Sequence, residues 1–247
     1  IVLSPKEEMS ILLEGDFDQN SYSKIIKVAL FQSLAINTKL PDWIKFMPGM
    51  SGKKYRYFIN NLVSMINKPK YLEIGSWSGS TACSAIYDNE LTVLCIDNWS
   101  QFNENDNEHK SYGVTNPKET FESNIKKVIS KKTNFKFIED DFRKVDYTKI
   151  GKYNIYLFDG PHEEKDQYDA IAMVKPALED TFILIIDDWN MLKVRNGSLK
   201  VIKDLKINII SKVEIRTTQD DNYPRLVHGQ FSEWHNGYLI AVCQKQT

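Results

Sequence analysis

The sequence predicts an α/β fold built on a mostly parallel β-sheet with helices on both faces. From Lys70 onward, short apolar runs of strand length alternate with segments of helical periodicity. A small-residue turn at Gly75–Ser80 joins the first of these strands to the first of these helices. The last two strands are separated by residues 217–235, which lack a helical pattern, so we expect an antiparallel final strand.

The first 68 residues are predicted to form a helical extension or cover. Residues 1–20 are polar and acidic, so we expect a loosely ordered lead-in around the apolar patch Ile11–Leu13. Apolar periodicity then predicts two helices, over about 21–34 and 51–66, with serines at their starts as caps.

Residues 69–247 are predicted to form the main domain. We expect its seven strands at 70–74, 91–96, 135–139, 153–158, 181–187, 208–216 and 236–244. We expect its helices near 79–88, 117–130, 164–175 and 195–205. Helices that alternate with strands over this length imply a sheet covered on both faces.

Composition narrows the classes of function. A net charge of −1 provides no global field that would favour nucleic acid or an anionic membrane. The longest apolar runs, such as Thr181–Ile186, have the length of strands and are too short to span a membrane. Cys83, Cys95 and Cys243 show no CxxC spacing, so we expect free or buried thiols and a cytoplasmic protein.

The glycine turn carries the first functional motif. Glu73, Gly75 and Gly79 form the pattern acid-x-Gly-x-x-x-Gly between strand and helix, and this pattern resembles the first motif of class I S-adenosylmethionine (SAM) methyltransferases. Trp77 stands where a dinucleotide fingerprint needs glycine, which argues against a nucleotide-binding oxidoreductase. The resemblance implies a Rossmann-like sheet of seven strands. It also implies cofactor contacts from Glu73, Gly75, Ser76, Gly79, Ser80 and Thr81.

Two further strand ends carry residues for the nucleoside of SAM. Asp97 ends the second strand about twenty residues past the glycine turn, where an acid accepts the ribose hydroxyls. Asn98 and Trp99 follow, and an aromatic ring there would cover the adenine face. Asp141 with Phe142, after the third strand, resembles the family position that binds the adenine amino group, with Asp140 as an alternative.

The segment that enters the domain is expected to cover the methionine end of SAM. In the resembled enzymes this segment passes over the cofactor, which assigns Met50 and Ser51 to cofactor binding. Lys53, Lys54 and Arg56 would then lie near the cleft mouth, either to meet an anionic acceptor or as a solvated basic turn.

Three carboxylates follow the next two strands. Asp159 ends the fourth strand, and Asp187-Asp188 end the fifth, which we expect beside it. Converging carboxylates repel one another, and a divalent cation relieves that repulsion. All-oxygen ligation favours Mg²⁺ or Ca²⁺ over zinc. The arrangement resembles the metal site of macrocin-type O-methyltransferases, although Asp188 could instead cap the segment after it.

His162 is the predicted general base. It lies three residues past Asp159 at the same sheet edge, and its ordinary pKa suits removal of a hydroxyl proton. Asp159 is the second candidate base, and capping of the helix near Glu163 is the structural alternative for His162. The long loops at 98–116 and 220–233 are expected to be lids, binding loops or surface insertions. His228 and His235, in or near the second loop, could reach the acceptor.

The sequence therefore predicts a SAM-dependent, divalent-metal-assisted O-methyltransferase. Its expected partner is a small hydroxylated acceptor, such as a sugar or a secondary metabolite, with no nucleic acid or membrane partner. Self-association into a homo-oligomer is left open. The alternatives are a metal-independent enzyme with His162 as base and a non-catalytic SAM-binding scaffold.

Overall fold

The computed structural model describes residues 9–100, 112–225 and 227–246. Its strands are β1 Ser10–Gly15, β2 Lys70–Ile74, β3 Leu91–Asp97, β4 Thr133–Glu139, β5 Tyr153–Phe158, β6 Leu178–Ile186, β7 Asn208–Arg216 and β8 Tyr238–Gln244. Its helices are α1 Ser21–Leu34, α2 Asp42–Lys45, α3 Lys53–Met65, α4 Ser80–Ile86, α5 Pro117–Val128, α6 Glu164–Val174 and α7 Leu192–Asp204. Short 3-10 turns occupy Phe142–Lys144, Lys175–Ala177 and Gly229–Phe231.

The strands form a single sheet in the order β1-β7-β8-β6-β5-β2-β3-β4. Strands β2 to β6 run parallel to their neighbours within that group. Strand β8 is antiparallel to both β6 and β7, which confirms the antiparallel last strand. The predicted α/β class with helices on both faces is also confirmed, because helices cover both faces of this sheet.

All seven predicted strands are present, as β2 to β8, and the described part of the chain has an eighth strand that was not predicted. The extra strand is β1, which falls where the sequence suggested a loosely ordered lead-in. It pairs antiparallel with β7, from Ser10 opposite Arg216 to Gly15 opposite Ser211. The apolar patch Ile11–Leu13 lies within β1. This pairing covers an edge of β7 that would otherwise present unpaired backbone groups to solvent.

Each face of the sheet buries its own apolar cluster. One cluster joins α1, α3, α4 and α5 to the sheet, with Leu30, Phe58 and Phe121 almost fully buried. The other joins α6 and α7 to the opposite face, with Ile171 and Val201 fully buried. Helices on both faces leave the edge at the carboxyl ends of the parallel strands available for a ligand.

No helix within the described ranges combines the length and the apolar character needed to cross a bilayer.

The order in which the chain adds strands reverses between β5 and β2, and the crevice at this topological switch point is the expected ligand site of an open parallel sheet. Gly75, at the end of β2, has a φ of +89° and lies against the end of β5. A Cβ at this position would lie 1.8 Å from the carbonyl oxygen of Asp159. Only glycine therefore permits this approach, which brings the glycine turn beside Asp159, the predicted metal ligand and second candidate base.

Candidate functional site

A cavity of about 350 Å³ opens at the carboxyl ends of the parallel strands. Its walls come from the carboxyl ends of β2 to β6, from the segment before α3, from the start of α7 and from the loop before β8. Its lining includes the predicted residues Met50, Gly75, Asp97, Asn98, Trp99, Asp141, Phe142, Asp159, His162 and Asp188. The volume lies within the range of small-molecule sites. The crevice at the switch point therefore joins residues that the sequence assigned to the cofactor and residues that it assigned to catalysis.

Asp97 holds two loops together at one side of this cavity. Its Oδ2 accepts a hydrogen bond from Trp77 N at 2.7 Å, and its Oδ1 accepts one from Trp99 N at 2.8 Å. Burial raises the pKa of Asp97, and the backbone N–H groups of Trp99 and Trp77 oppose that rise. The indole N–H of Trp99 donates to Trp77 O at 2.9 Å. Backbone N–H groups therefore fix the Asp97 carboxylate in the wall of the cavity.

Trp99 and Asn98 lie beside Asp97 in the wall of the cavity. The Trp99 ring packs against Phe121 and Phe137, with centroids 5.8 and 5.2 Å away. The Asn98 side chain accepts hydrogen bonds from the backbone and the hydroxyl of Ser100, at 3.1 and 2.8 Å. These contacts fix both residues before any ligand binds.

The segment after β4 forms the far end of the cavity. Asp140 Oδ1 accepts a hydrogen bond from Asp141 N at 2.8 Å, and Asp141 Oδ1 accepts one from Arg143 N at 2.9 Å. The Arg143 guanidinium lies 4.3 Å from the centroid of the Phe142 ring, and its Nε donates to Asp169 at 3.2 Å. Sequence reasoning missed Arg143, which lines the cavity and ties this end to helix α6.

The rest of the glycine turn supports the cavity from behind. Ser80 Oγ lies 3.0 Å from Ser51 Oγ, so the start of α4 is tied to the entering segment. Ser76, Ser80 and Thr81 are buried, and they do not line the cavity; nor does Gly79. Met50 reaches the cavity, whereas Ser51 accepts a hydrogen bond from Arg56 Nε at 3.0 Å. The structure therefore brings one residue of the entering segment to the ligand space.

Arg56 does not lie at the cleft mouth as expected. Its side chain is fully buried, and its Nη1 donates to the carbonyl oxygens of Ile44 and Met47 at 2.8 and 2.7 Å. It therefore fixes the entering segment from inside the protein. Lys53 and Lys54 pair with Glu233, at 3.6 and 3.0 Å. These two pairs hold the start of α3 beside the loop that precedes β8.

Glu73 is fully buried behind the turn and does not line the cavity. The Tyr71 hydroxyl donates to Glu73 Oε2 at 2.5 Å. Burial raises the pKa of Glu73 to about 7, and the hydroxyls of Tyr71 and Ser76 oppose that rise. The acid of the first motif is therefore poised between its two charge states near neutral pH.

The three acids at the ends of β5 and β6 converge as predicted. Asp159 and Asp187 are hydrogen-bonded to each other through their side chains. Burial, and then repulsion from Asp188, raises the pKa of Asp159 to about 8, and burial together with the Asp159 charge raises the pKa of Asp187. Two carboxylates this close cannot both ionise without a counter-charge, so the pair retains at least one proton at neutral pH.

Asp188 makes an ion pair with the predicted base. Its Oδ2 lies 2.7 Å from His162 Nε2, and its Oδ1 accepts a hydrogen bond from Asn236 at 2.6 Å. Burial opposes ionisation of Asp188, but the His162 charge and hydrogen bond lower its pKa to about 2. The same carboxylate raises the pKa of His162 to about 9. His162 therefore lines the cavity and is paired with a carboxylate that Asn236 holds in place.

The predicted metal ligands are close together, but in the described residues no group of three or more His, Cys, Asp and Glu side chains is arranged to hold a metal ion. Asp187 Oδ1 accepts the backbone N–H of Asp188 at 2.7 Å, and Asp188 is held by His162 and Asn236. The acids therefore have the right chemistry for a hard cation and are engaged with other partners.

The loop before β8 supplies the remaining wall. Tyr223 and His235 line the cavity, and so does Met191 at the start of α7. The sequence suggested that His235 could reach the acceptor, but it carried no signal for Tyr223 or Met191 beyond their place near the predicted loops. Residues 101–111 of the first predicted loop lie outside the described residues.

Comparisons with known proteins agree with this architecture. A family model described as a methyltransferase domain matches residues 72–189, slightly less than half of the chain. That match extends from the glycine-turn strand to the Asp187-Asp188 pair. No curated protein sequence matches the chain.

Solved structures show the same fold at low sequence identity. Cofactor-bound Rv0187 from MTB is 11% identical, with a TM-score of 0.53 over 90% of this chain and 91% of that one. SAH-bound methyltransferase PaMTH1 from Podospora anserina is 10% identical, with a TM-score of 0.51 over 95% and 90%. TrmN from Thermus thermophilus is 12% identical, with a TM-score of 0.46 over 77% of this chain, which spans 48% of TrmN. The first two of these structures show that the chain has the Rossmann-like fold of SAM-dependent methyltransferases.

Proposed function

We propose that this chain is a SAM-dependent methyltransferase that transfers a methyl group to a hydroxyl of a small acceptor. The observation that carries the proposal is the single cavity that joins Asp97 to the His162–Asp188 ion pair. One end offers a carboxylate for ribose, and the other offers a histidine for proton removal. In this assignment residues 69–247 form the catalytic domain, and residues 1–68 form a cover that places Met50 over the cofactor.

The cofactor side follows from the positions of the lining residues. Asp97 accepts the ribose hydroxyls, and Asp141 with Phe142 binds the adenine. Asn98 and Trp99 support the nucleoside. The methionine part of SAM lies along the turn after Gly75, whose residues Ser76, Gly79, Ser80 and Thr81 shape the backbone that faces it, with Glu73 and Ser51 behind.

Methyl transfer needs a hydroxyl oxygen that attacks the methyl carbon while the carbon–sulfur bond breaks and its electron pair goes to sulfur. The hydroxyl proton must leave at the same time. Nε2 of His162 is hydrogen-bonded to Asp188, so the proton of the acceptor hydroxyl goes to the other ring nitrogen, Nδ1. Asp188 then stabilises the imidazolium that forms, and Asp159 is the second candidate base.

We expect Asp97→Ala to weaken binding of S-adenosylhomocysteine (SAH) by about 10- to 100-fold, because hydrogen bonds to a charged group contribute about 1.5–3 kcal/mol each. Isothermal titration calorimetry measures this change. Asp146→Ala is the matched control, since Asp146 is exposed and lies outside the cavity. Absence of SAH binding by the unmodified protein, or equal binding by Asp97→Ala, would overturn the proposed function.

A metal-assisted form of the reaction is the second candidate, and the acid pair Asp159–Asp187 favours it. The carboxylates of Asp159, Asp187 and Asp188 would hold Mg²⁺ or Ca²⁺, and either cation would take the place of the protons that the pair retains. A bound dication lowers the pKa of an acceptor hydroxyl and fixes its direction. The His162–Asp188 ion pair favours the metal-independent form instead.

Proton release separates these two forms. If Mg²⁺ binds the acid cluster, we expect at least one proton to leave per cation near pH 7, because the Asp159–Asp187 pair is protonated at that pH. Calorimetry in two buffers of different ionisation enthalpy measures this release, and Asp187→Asn should abolish it. No Mg²⁺ binding, together with methyl transfer that survives EDTA, would leave the metal-independent form.

A further inference from the structure

Four aromatic side chains form a hydrogen-bonded chain across the loop that precedes β8. Gly229 N donates to His235 Nδ1 at 2.8 Å, and His235 Nε2 lies 2.6 Å from the Tyr223 hydroxyl. The Tyr223 hydroxyl is hydrogen-bonded to Tyr112, whose hydroxyl lies 3.0 Å from His228 Nδ1. The chain therefore runs from a buried histidine to a partly exposed one.

The backbone sets the direction of the first two bonds. An amide N–H can only donate, so the Nδ1 of His235 that faces Gly229 must carry a lone pair. The proton of neutral His235 is then on Nε2, which donates to the Tyr223 oxygen. Burial lowers the pKa of His235 to about 4, in agreement with the neutral form. Tyr223 therefore accepts a hydrogen bond from His235 and keeps its own proton to donate.

The loop that carries Tyr223 is held at several points. Asp221 pairs with Arg195 and with Arg216, the latter at 2.9 Å. The Thr218 hydroxyl donates to Asn222 O at 2.6 Å. These contacts, together with His235, fix the Tyr223 ring before an acceptor arrives. Groups held in this way lose little freedom on binding.

Tyr223 and Tyr112 differ in one respect that matters for function. Tyr223 lines the cavity together with His162 and Asp188, whereas Tyr112 does not line it. The Tyr223 proton therefore has two destinations, the Tyr112 hydroxyl or an oxygen of a molecule in the cavity. The cofactor side has its own polar groups at Asp97 and Asp141, so an oxygen near Tyr223 belongs to the acceptor.

We propose that Tyr223 is an acceptor-binding residue, whose hydroxyl is oriented by His235 and donates a hydrogen bond to an oxygen of the methyl acceptor. The proposal rests on the proposed function. The oxygen that attacks the methyl carbon must give its proton to His162, and a donor on that oxygen would reduce its nucleophilicity. Tyr223 therefore contacts a second oxygen, so the acceptor class is a small molecule with at least two neighbouring oxygen functions.

A matched pair of probes tests this assignment on the SAH complex. Trans-1,2-cyclohexanediol carries two neighbouring hydroxyls, and cyclohexanol carries one. We expect the diol to bind the unmodified complex more tightly than cyclohexanol in an NMR titration. Tyr223→Phe should weaken diol binding by about 3- to 10-fold, the value of one hydrogen bond, and should leave cyclohexanol binding unchanged.

Tyr112→Phe is the control variant, because it removes a hydroxyl from the same chain outside the cavity. We expect it to keep diol affinity within about twofold, and both variants to keep SAH affinity. Undetectable diol binding, or equal losses in both variants, would overturn the assignment, as would ¹⁵N NMR of His235 that shows Nδ1 protonated. Failure of SAH binding to the unmodified protein would instead overturn the proposed function.

Discussion

Replacing His162 by glutamine should lower kcat for methyl transfer by about 10²- to 10⁴-fold, the usual contribution of a general base. Glutamine can still donate a hydrogen bond to Asp188, so the buried carboxylate keeps a partner and the fold is expected to persist. It cannot accept and hold the hydroxyl proton. Initial rates of SAH formation with saturating acceptor measure the effect, and thermal unfolding confirms that the variant is folded.

The pH profile provides a second readout of the same residue. Because Asp188 raises the pKa of His162 to about 9, the histidine is protonated at neutral pH and must lose its proton to act as a base. We expect kcat/KM of the unmodified enzyme to rise with pH up to about 9, and His162→Gln to lose this rise. Lys149→Ala, an exposed change outside the cavity, should keep both rate and profile. A His162→Gln enzyme that retains more than a tenth of kcat would exclude His162 as the base.

The parts of the site that follow a strand end were predictable from sequence. Asp97, Asp159 and Asp188 each follow a strand of the parallel group, or end it, and such strands end at one edge of a sheet. Once the glycine turn marked β2, simple topology placed these acids near one another. The same local patterns gave the positions of most strands and helices.

Contacts between segments that are far apart in the sequence could not be predicted in this way. Arg56 was expected at the cleft mouth, but its hydrogen bonds go to carbonyl oxygens of residues 44–47, and only tertiary packing brings these together. Strand β1 needed the free edge of β7, which no pattern within residues 1–20 reveals. Tyr223 is oriented by His235 through a loop whose path the sequence does not specify.

The bonding partners of the three clustered carboxylates could not be predicted from the sequence either. Convergence of Asp159, Asp187 and Asp188 followed from strand order, but the partner of each carboxylate did not. The choice between a cation, a shared proton and a histidine depends on distances of a few tenths of an ångström. Those distances are set by packing of the loops after β5 and β6, which sequence spacing does not encode.

Glu73→Gln should make the protein more stable at pH 8 by up to about 3 kcal/mol. Burial raises the pKa of Glu73 from 4.5 to about 7, so the folded protein binds this proton more tightly than the unfolded chain does. The free energy of unfolding therefore falls as pH rises from 4.5 to 7, by about 1.36 kcal/mol for each unit of pKa difference. Glutamine has no proton to lose, yet it can still accept the Tyr71 hydroxyl.

Urea unfolding between pH 4 and 8 measures the difference between variant and parent. We expect the difference to grow with pH up to about 7 and then to stay constant. Above that pH Glu73 is ionised in both the folded and the unfolded states of the parent protein. Glu122→Gln, at an exposed position on α5, is the control and should change stability by less than about 0.5 kcal/mol at every pH. A pH-independent difference for Glu73→Gln would show that Glu73 ionises alike in the folded and unfolded chains.

The loss of stability that follows from burying Glu73 also suggests a functional role for this residue. A residue that destabilises the fold at neutral pH is expected where function requires it. In the proposed binding mode Glu73 lies behind the turn that faces SAM, and the positive sulfonium that SAH lacks makes its carboxylate stabilise SAM more than SAH. Glu73→Gln should therefore weaken SAM binding more than SAH binding, although the variant is the more stable protein. Equal changes in the two affinities would assign Glu73 to the structure of the turn alone.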